Sequence, residues 1–184
     1  MKKIATILAV LLLVNGFSAC EKDDICSEDT PTTPRLMIEF YGDNNVLKPV
    51  TNLKVTADGV ADPIVFNADV TTASRYLTNA SNIALPLDLS AEKVTYEFTL
   101  NATDTTGLLL KTDKIEFNYR RKTVYVSRAC GYKMLFDLNN LPDLPEAYVL
   151  NNTTPPQAGN WIKRIFIEKF NLESENETHV KIYF

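Results

Sequence analysis

Three cysteines, Cys20, Cys26 and Cys130, carry the most specific chemistry in this chain. Cys20 closes the string Phe17-Ser18-Ala19-Cys20. Ahead of it stand Lys2, Lys3 and an apolar run over residues 4–14 broken only by Thr6. A short positive segment, an apolar stretch about half of the roughly 20 residues a membrane span needs, and small residues at the cut together make a secretory signal peptide. A cysteine directly after those small residues is the arrangement of a lipobox. A signal peptidase cuts before it, and the cysteine takes lipid, with palmitate among the acyl chains. The reading is a signal peptide over residues 1–19 and a mature chain that begins at lipidated Cys20.

The other two thiols follow from the first. With the Cys20 sulfur used by lipid, Cys26 and Cys130 remain in an exported protein, where disulfides persist, and only one pairing is available. Such a bridge requires Cα atoms about 4.4–6.8 Å apart. Gly131, next to Cys130, permits the tight bend this needs, and the bond would pin the N-terminal stalk to the folded domain.

Other reactive groups are sparse. His179 is the only histidine, so a Ser-His-Asp or Cys-His site would have to use it. Its neighbours Thr178 and Val180 suggest a strand edge, and a surface or packing role is expected. Metal ligation by His and Cys is excluded by count, and no cofactor motif is visible. Asp43-Asn44-Asn45 and residues 137–140 offer oxygen ligands without calcium-loop spacing, and read as turns. Only six glycines occur, and none forms a phosphate loop. Arg120-Arg121-Lys122 is the one dense basic cluster, either a patch for an acidic glycan, phosphate or partner, or a charged strand edge or turn that discourages aggregation. Tyr96, Phe98, Phe117, Tyr119, Tyr125 and Tyr132 could line a sugar-binding face, although their spacing of two is also that of a core face. The formal net charge of −4 becomes more negative once the leader lysines leave, which disfavours nucleic acid as a partner.

The elements that position these groups read as strands. Residues 94–100, Val-Thr-Tyr-Glu-Phe-Thr-Leu, alternate strictly, and Ile115-Glu116-Phe117-Asn118-Tyr119 repeats the pattern. Further strands are expected at 35–41, 53–55, 64–66, 83–89, 123–127, 134–136, 148–150 and 179–184. Gly42-Asp43-Asn44-Asn45 and Asp58-Gly59 supply turns. Pro86 argues for an edge or a bulge. Over residues 161–169 helix and strand compete, and the β-branched and aromatic content favours strand. Residues 20–34, acidic and rich in Thr and Pro, read as a lipidated flexible stalk. Residues 35–184 then form one all-β domain, an antiparallel β-sandwich of immunoglobulin-like general architecture.

Two resemblances add an address. Cys20-Glu21-Lys22-Asp23-Asp24 resembles the lipoprotein export signal of the Bacteroidota, a Lys and two acidic residues after the lipidated cysteine; it implies transport to the outer face of the outer membrane. Asp104-Thr105-Thr106 resembles the O-glycosylation site of exported proteins of that phylum, with Thr105 as acceptor. Asp113-Lys114-Ile115-Glu116-Phe117-Asn118-Tyr119, together with Tyr125-Val126-Ser127-Arg128-Ala129-Cys130-Gly131-Tyr132, Cys26 and the strand 35–40, is similar to an uncharacterised family of small Bacteroidota lipoproteins. That resemblance implies fold and address and no activity. The expected protein is lipid-anchored at the outer membrane and serves a non-catalytic binding, assembly or structural role toward a protein or glycan partner. The alternatives are a carbohydrate-binding accessory lipoprotein and, third, a hydrolase.

Overall fold

A computed structural model of the chain describes residues 25–27, 30, 32–153 and 159–184. Residues 1–24, with Cys20, Lys22, Asp23 and Asp24, lie outside them. The strands are β1 (Leu36–Tyr41), β2 (Leu53–Ala57), β3 (Leu77–Thr78), β4 (Asn82–Leu85), β5 (Lys93–Leu100), β6 (Lys111–Ser127), β7 (Gly131–Leu138), β8 (Tyr148–Leu150), β9 (Arg164–Ile167), β10 (Asn171–Leu172) and β11 (Val180–Tyr183). No α-helix occurs among the described residues, and one 3₁₀ turn, Ala73–Tyr76, precedes β3.

The chain divides into two compact units. One joins the N-terminal segment through Thr30 to Tyr125–Tyr132; the other comprises Pro31–Val124 and Lys133–Phe184. The larger unit is the all-β sandwich expected from the alternation. One sheet has the order β4-β1-β11-β9; the other runs β10-β7-β6-β5-β2-β3, with β8 also paired to β6. A single core lies between them, because alternate residues of both sheets point inward. Leu36, Ile38 and Phe40 of β1 and Val180 and Ile182 of β11 meet Val55 of β2, Tyr96 and Phe98 of β5 and Ile115 and Phe117 of β6. The Trp161 indole fills the space between, with Nε1 donating to the Phe98 carbonyl at 3.2 Å and its ring 6.4 Å from that of Phe40.

The β1–β4, β9–β11, β2–β3, β2–β5, β5–β6, β6–β8 and β7–β10 pairs are antiparallel. β1 and β11 pair in parallel, Ile38 with Val180 through Tyr41 with Tyr183. The two strands lie at opposite ends of the sequence, so no hairpin constrains their direction. The expected strand at 64–66 does not form. Pro63 cannot donate, and Asn67 begins a turn, so Ile64 and Phe66 make only isolated bonds, to the carbonyls of Val55 and Arg75. Strand wins over helix at 161–169, as β9. Pro86 falls just past β4, an edge strand, where it interrupts no ladder.

Residues 111–127 form one 17-residue strand rather than two. β5 covers it only from Lys111 to Asn118. Arg120, Arg121 and Lys122 therefore lie within the strand, just past the end of that pairing, and all three are exposed. Alternation puts Arg121 on one face and Arg120 and Lys122 on the other. They do not converge as a single patch.

In the smaller unit, Cys26 and Cys130 form the expected disulfide, with Cα atoms 4.9 Å apart. Gly131 takes a φ of +68° at the bend, and the Cys130 amide donates to Ser127 Oγ at 3.0 Å. Tyr125 and Tyr132 are exposed, their rings edge to face at 5.4 Å.

Candidate functional site

Two buried polar groups, His179 and Asp113, are of types that serve in catalysis, and both are tied into the fold. His179 is fully buried. Its Nδ1 accepts the Met37 N–H at 3.0 Å, and the His179 backbone N–H donates to the Met37 carbonyl at 3.0 Å. The imidazole thus ties the start of β11 to β1 and is a packing group, not a strand-edge one. Burial holds its pKa below the ordinary value of 6.5. Because the folded state favours neutral imidazole, stability should fall as the pH drops from about 6.5 through that lowered value, then level off below it. Thermal melts between pH 7.5 and 4.5 should show this step, and His179→Gln should remove it; an unchanged step would assign it to another group.

Asp113 is fully buried on β6, in phase with the inward Ile115, Phe117 and Tyr119. Its Oδ1 accepts from Asn151 Nδ2 and the Asn160 N–H, both at 2.7 Å. Oδ2 accepts the N–H groups of Trp161 and Ile162, both at 2.9 Å. One carboxylate therefore terminates the run that leads into β9 and seats Trp161 in the core. Gly159 lies so close that a Cβ there would overlap the carboxylate. Local sequence does not announce this role, because the donors belong to Asn151, Asn160, Trp161 and Ile162, far along the chain. The available signal was an acidic residue on the inward register of an alternating strand.

Of the aromatic residues considered for a sugar face, Tyr96, Phe98, Phe117 and Tyr119 are core. The Tyr96 hydroxyl donates to the Pro86 carbonyl, and burial raises its pKa. The Tyr119 hydroxyl accepts the Asp88 N–H at 2.9 Å and donates to the Asp88 carbonyl at 3.1 Å; its pKa is raised to about 12, again by burial first. Both rings are structural. Thr105 is exposed in the β5–β6 turn. Asp104 shapes that turn by accepting from Thr106 N and Oγ1 and from Leu109 N. Asp43 pairs with Lys163 at 2.5 Å and Asp137 accepts from Asn171 at 2.6 Å, while Asn44 accepts the Val46 N–H at 3.2 Å. These are turn and surface roles.

A cleft of about 610 Å³ opens in the larger unit. β9 and Phe170 form one wall, and the segment from Asn139 to Tyr148 forms the other. It opens here because β9 is the last strand of its sheet, with no further strand paired to that edge among the described residues. Leu141, Leu144, Pro142, Pro145, Ile165 and Phe166 give it an apolar surface. Leu141 and Phe166 are exposed in it, at 45% and 56%. Its polar groups are few. The Tyr148 hydroxyl donates to the Ile165 carbonyl at 3.2 Å, and burial raises the Tyr148 pKa. Asn139 is 7% exposed, and its side-chain oxygen has no partner among the described residues. An apolar cleft with few polar groups suits a binding site. No group of three or more His, Cys, Asp or Glu residues fit to hold a metal occurs among the described residues. No curated protein and no solved structure matches the chain. Residues 52–184 match a family of unknown function (DUF6452), and the chain belongs to that family.

Proposed function

We propose that this is a lipid-anchored protein of the outer membrane, displayed toward the cell exterior, with a non-catalytic binding or assembly role, and that its relatives are likewise small lipoproteins of the Bacteroidota. The lipobox ending at Cys20 and the Lys22-Asp23-Asp24 signal support the address. The observation that carries the role is the cleft beside β9, walled by apolar side chains and side-chain amides. Meanwhile His179, Asp113, Cys26 and Cys130, the groups best suited to chemistry, are spent on structure. Crosslinking on intact cells, followed by purification of the lipidated protein, tests the role. An outer-membrane complex should co-purify; recovery of the protein alone overturns the assembly reading.

A second reading, a carbohydrate-binding accessory lipoprotein, is favoured by one observation, the exposed ring pair of Tyr125 and Tyr132. Saturable binding to a purified glycan, weakened by Tyr132→Ala, would select it.

For the address, Cys20→Ala should abolish incorporation of labelled palmitate. Replacing Lys22, Asp23 and Asp24 together by Ala should leave the protein lipidated but shielded from protease added to intact cells. Full protease accessibility of that triple variant would remove the export role.

A further inference from the structure

We infer that the outer edge of β9 receives an extended peptide segment of a partner protein, which adds as a further strand to the β4-β1-β11-β9 sheet and lays its side chains in the apolar cleft. This deepens the binding role proposed above and is independent of the lipid anchor.

The hydrogen-bond phase of β9 is the first ground. β9 pairs antiparallel with β11, Arg164 with Tyr183 through Ile167 with Val180. In the same register the Glu168 N–H donates to the His179 carbonyl at 2.8 Å. In an antiparallel ladder alternate residues point toward the partner strand. Arg164, Phe166 and Glu168 therefore face β11, and the backbone groups of Ile165 and Ile167 face the open side. Among the described residues only the Tyr148 hydroxyl meets them, at the Ile165 carbonyl. An extended polypeptide supplies N–H and C=O groups at the two-residue repeat of about 6.8 Å that such an edge requires; a sugar or an acyl chain does not.

Apart from its four-residue length, the edge lacks the usual protections against strand addition. No proline interrupts β9. Its nearest cations are turned onto partners, Arg164 over the Tyr183 ring at 4.0 Å and Lys163 onto Asp43. The β6 edge, by contrast, carries Arg120 and Lys122.

The cleft gives the chemistry of the incoming strand. Its surface suits apolar side chains, with Phe166 and Leu141 already presented to solvent. The single charged side chain in the lining is Glu146, which has no ion-pair partner among the described residues. A Lys or Arg on the strand complements it.

The probe is a phage-displayed library of random decapeptides panned on the purified mature protein. Enriched peptides should alternate apolar residues and carry a basic one. In synthetic copies, N-methylation of alternate residues, those facing β9, should weaken binding about tenfold each, whereas methylating the intervening ones changes little. The Ile165 and Ile167 amides should gain protection from hydrogen exchange on binding. Phe166→Ser and Leu141→Ser, at exposed positions outside the core, should each weaken binding about tenfold. An absence of enrichment, insensitivity to N-methylation, or protection confined to other strands overturns strand addition. Should a complex still co-purify from crosslinked cells in that case, the binding role stands and only its mode falls.

Discussion

Asp113→Ala is expected to cost about 3–5 kcal/mol of stability, a large share of the 5–15 kcal/mol typical of a domain. Two buried backbone N–H groups, those of Trp161 and Ile162, and the part-buried N–H of Asn160 lose their acceptor, as does Asn151 Nδ2. Each buried donor left without a partner costs about 1–3 kcal/mol, and water entering the space recovers part of the sum. Asp113→Asn is nearly isosteric, yet it presents an NH₂ to two N–H donors, so it should cost about 2–4 kcal/mol. Gly159→Ala tests the same node from the other side, since its Cβ would displace the carboxylate. Urea unfolding followed by Trp161 fluorescence reads all three. An Asp113→Ala midpoint equal to that of the parent would show that the carboxylate is dispensable.

Removal of the Cys26–Cys130 disulfide is expected to have an effect of similar size. The bond closes a loop with a sequence separation of 104. In the chain-entropy picture a loop of that length restricts the unfolded ensemble by roughly 4–5 kcal/mol, an upper figure because residual structure in the unfolded chain reduces it. Cys26→Ser in a Cys20→Ala background isolates the effect, compared with the same background with the disulfide intact. The urea midpoint should fall markedly while the final unfolded signal stays the same. Thiol titration of the unfolded, unreduced Cys20→Ala protein should find no free sulfhydryl. Two free thiols would refute the pairing, and a loss below about 1 kcal/mol would show that loop closure contributes little here.

Strict alternation identified β5 and the inward face of β6, because a strand with one buried face repeats every two residues whatever its neighbours do. The charged trio Arg120-Arg121-Lys122 allows either an edge or a turn by composition; the strand continues through it past the end of the β5 pairing, an edge rather than a turn, since a ladder on one side suffices to hold charged residues in extended backbone. At 64–66 local composition favoured a strand, and three residues between Pro63 and Asn67 were too few to nucleate a ladder.

The order of residues alone determined the all-β class and the pairing of Cys26 with Cys130, and it is the ground for the lipobox proposed at Cys20, which lies outside the described residues. Each depends on local periodicity, on count, or on a contiguous motif. What only the tertiary structure decided depends on groups far apart in the chain. Asp113 became the acceptor for Asn151, Asn160, Trp161 and Ile162, and His179 became the tie between β11 and β1. The parallel β1–β11 pair left β9 as the last strand of its sheet, and so opened the cleft against residues 139–148. No local pattern encodes these outcomes, because hydrogen-bond partners and sheet edges are properties of how distant segments meet.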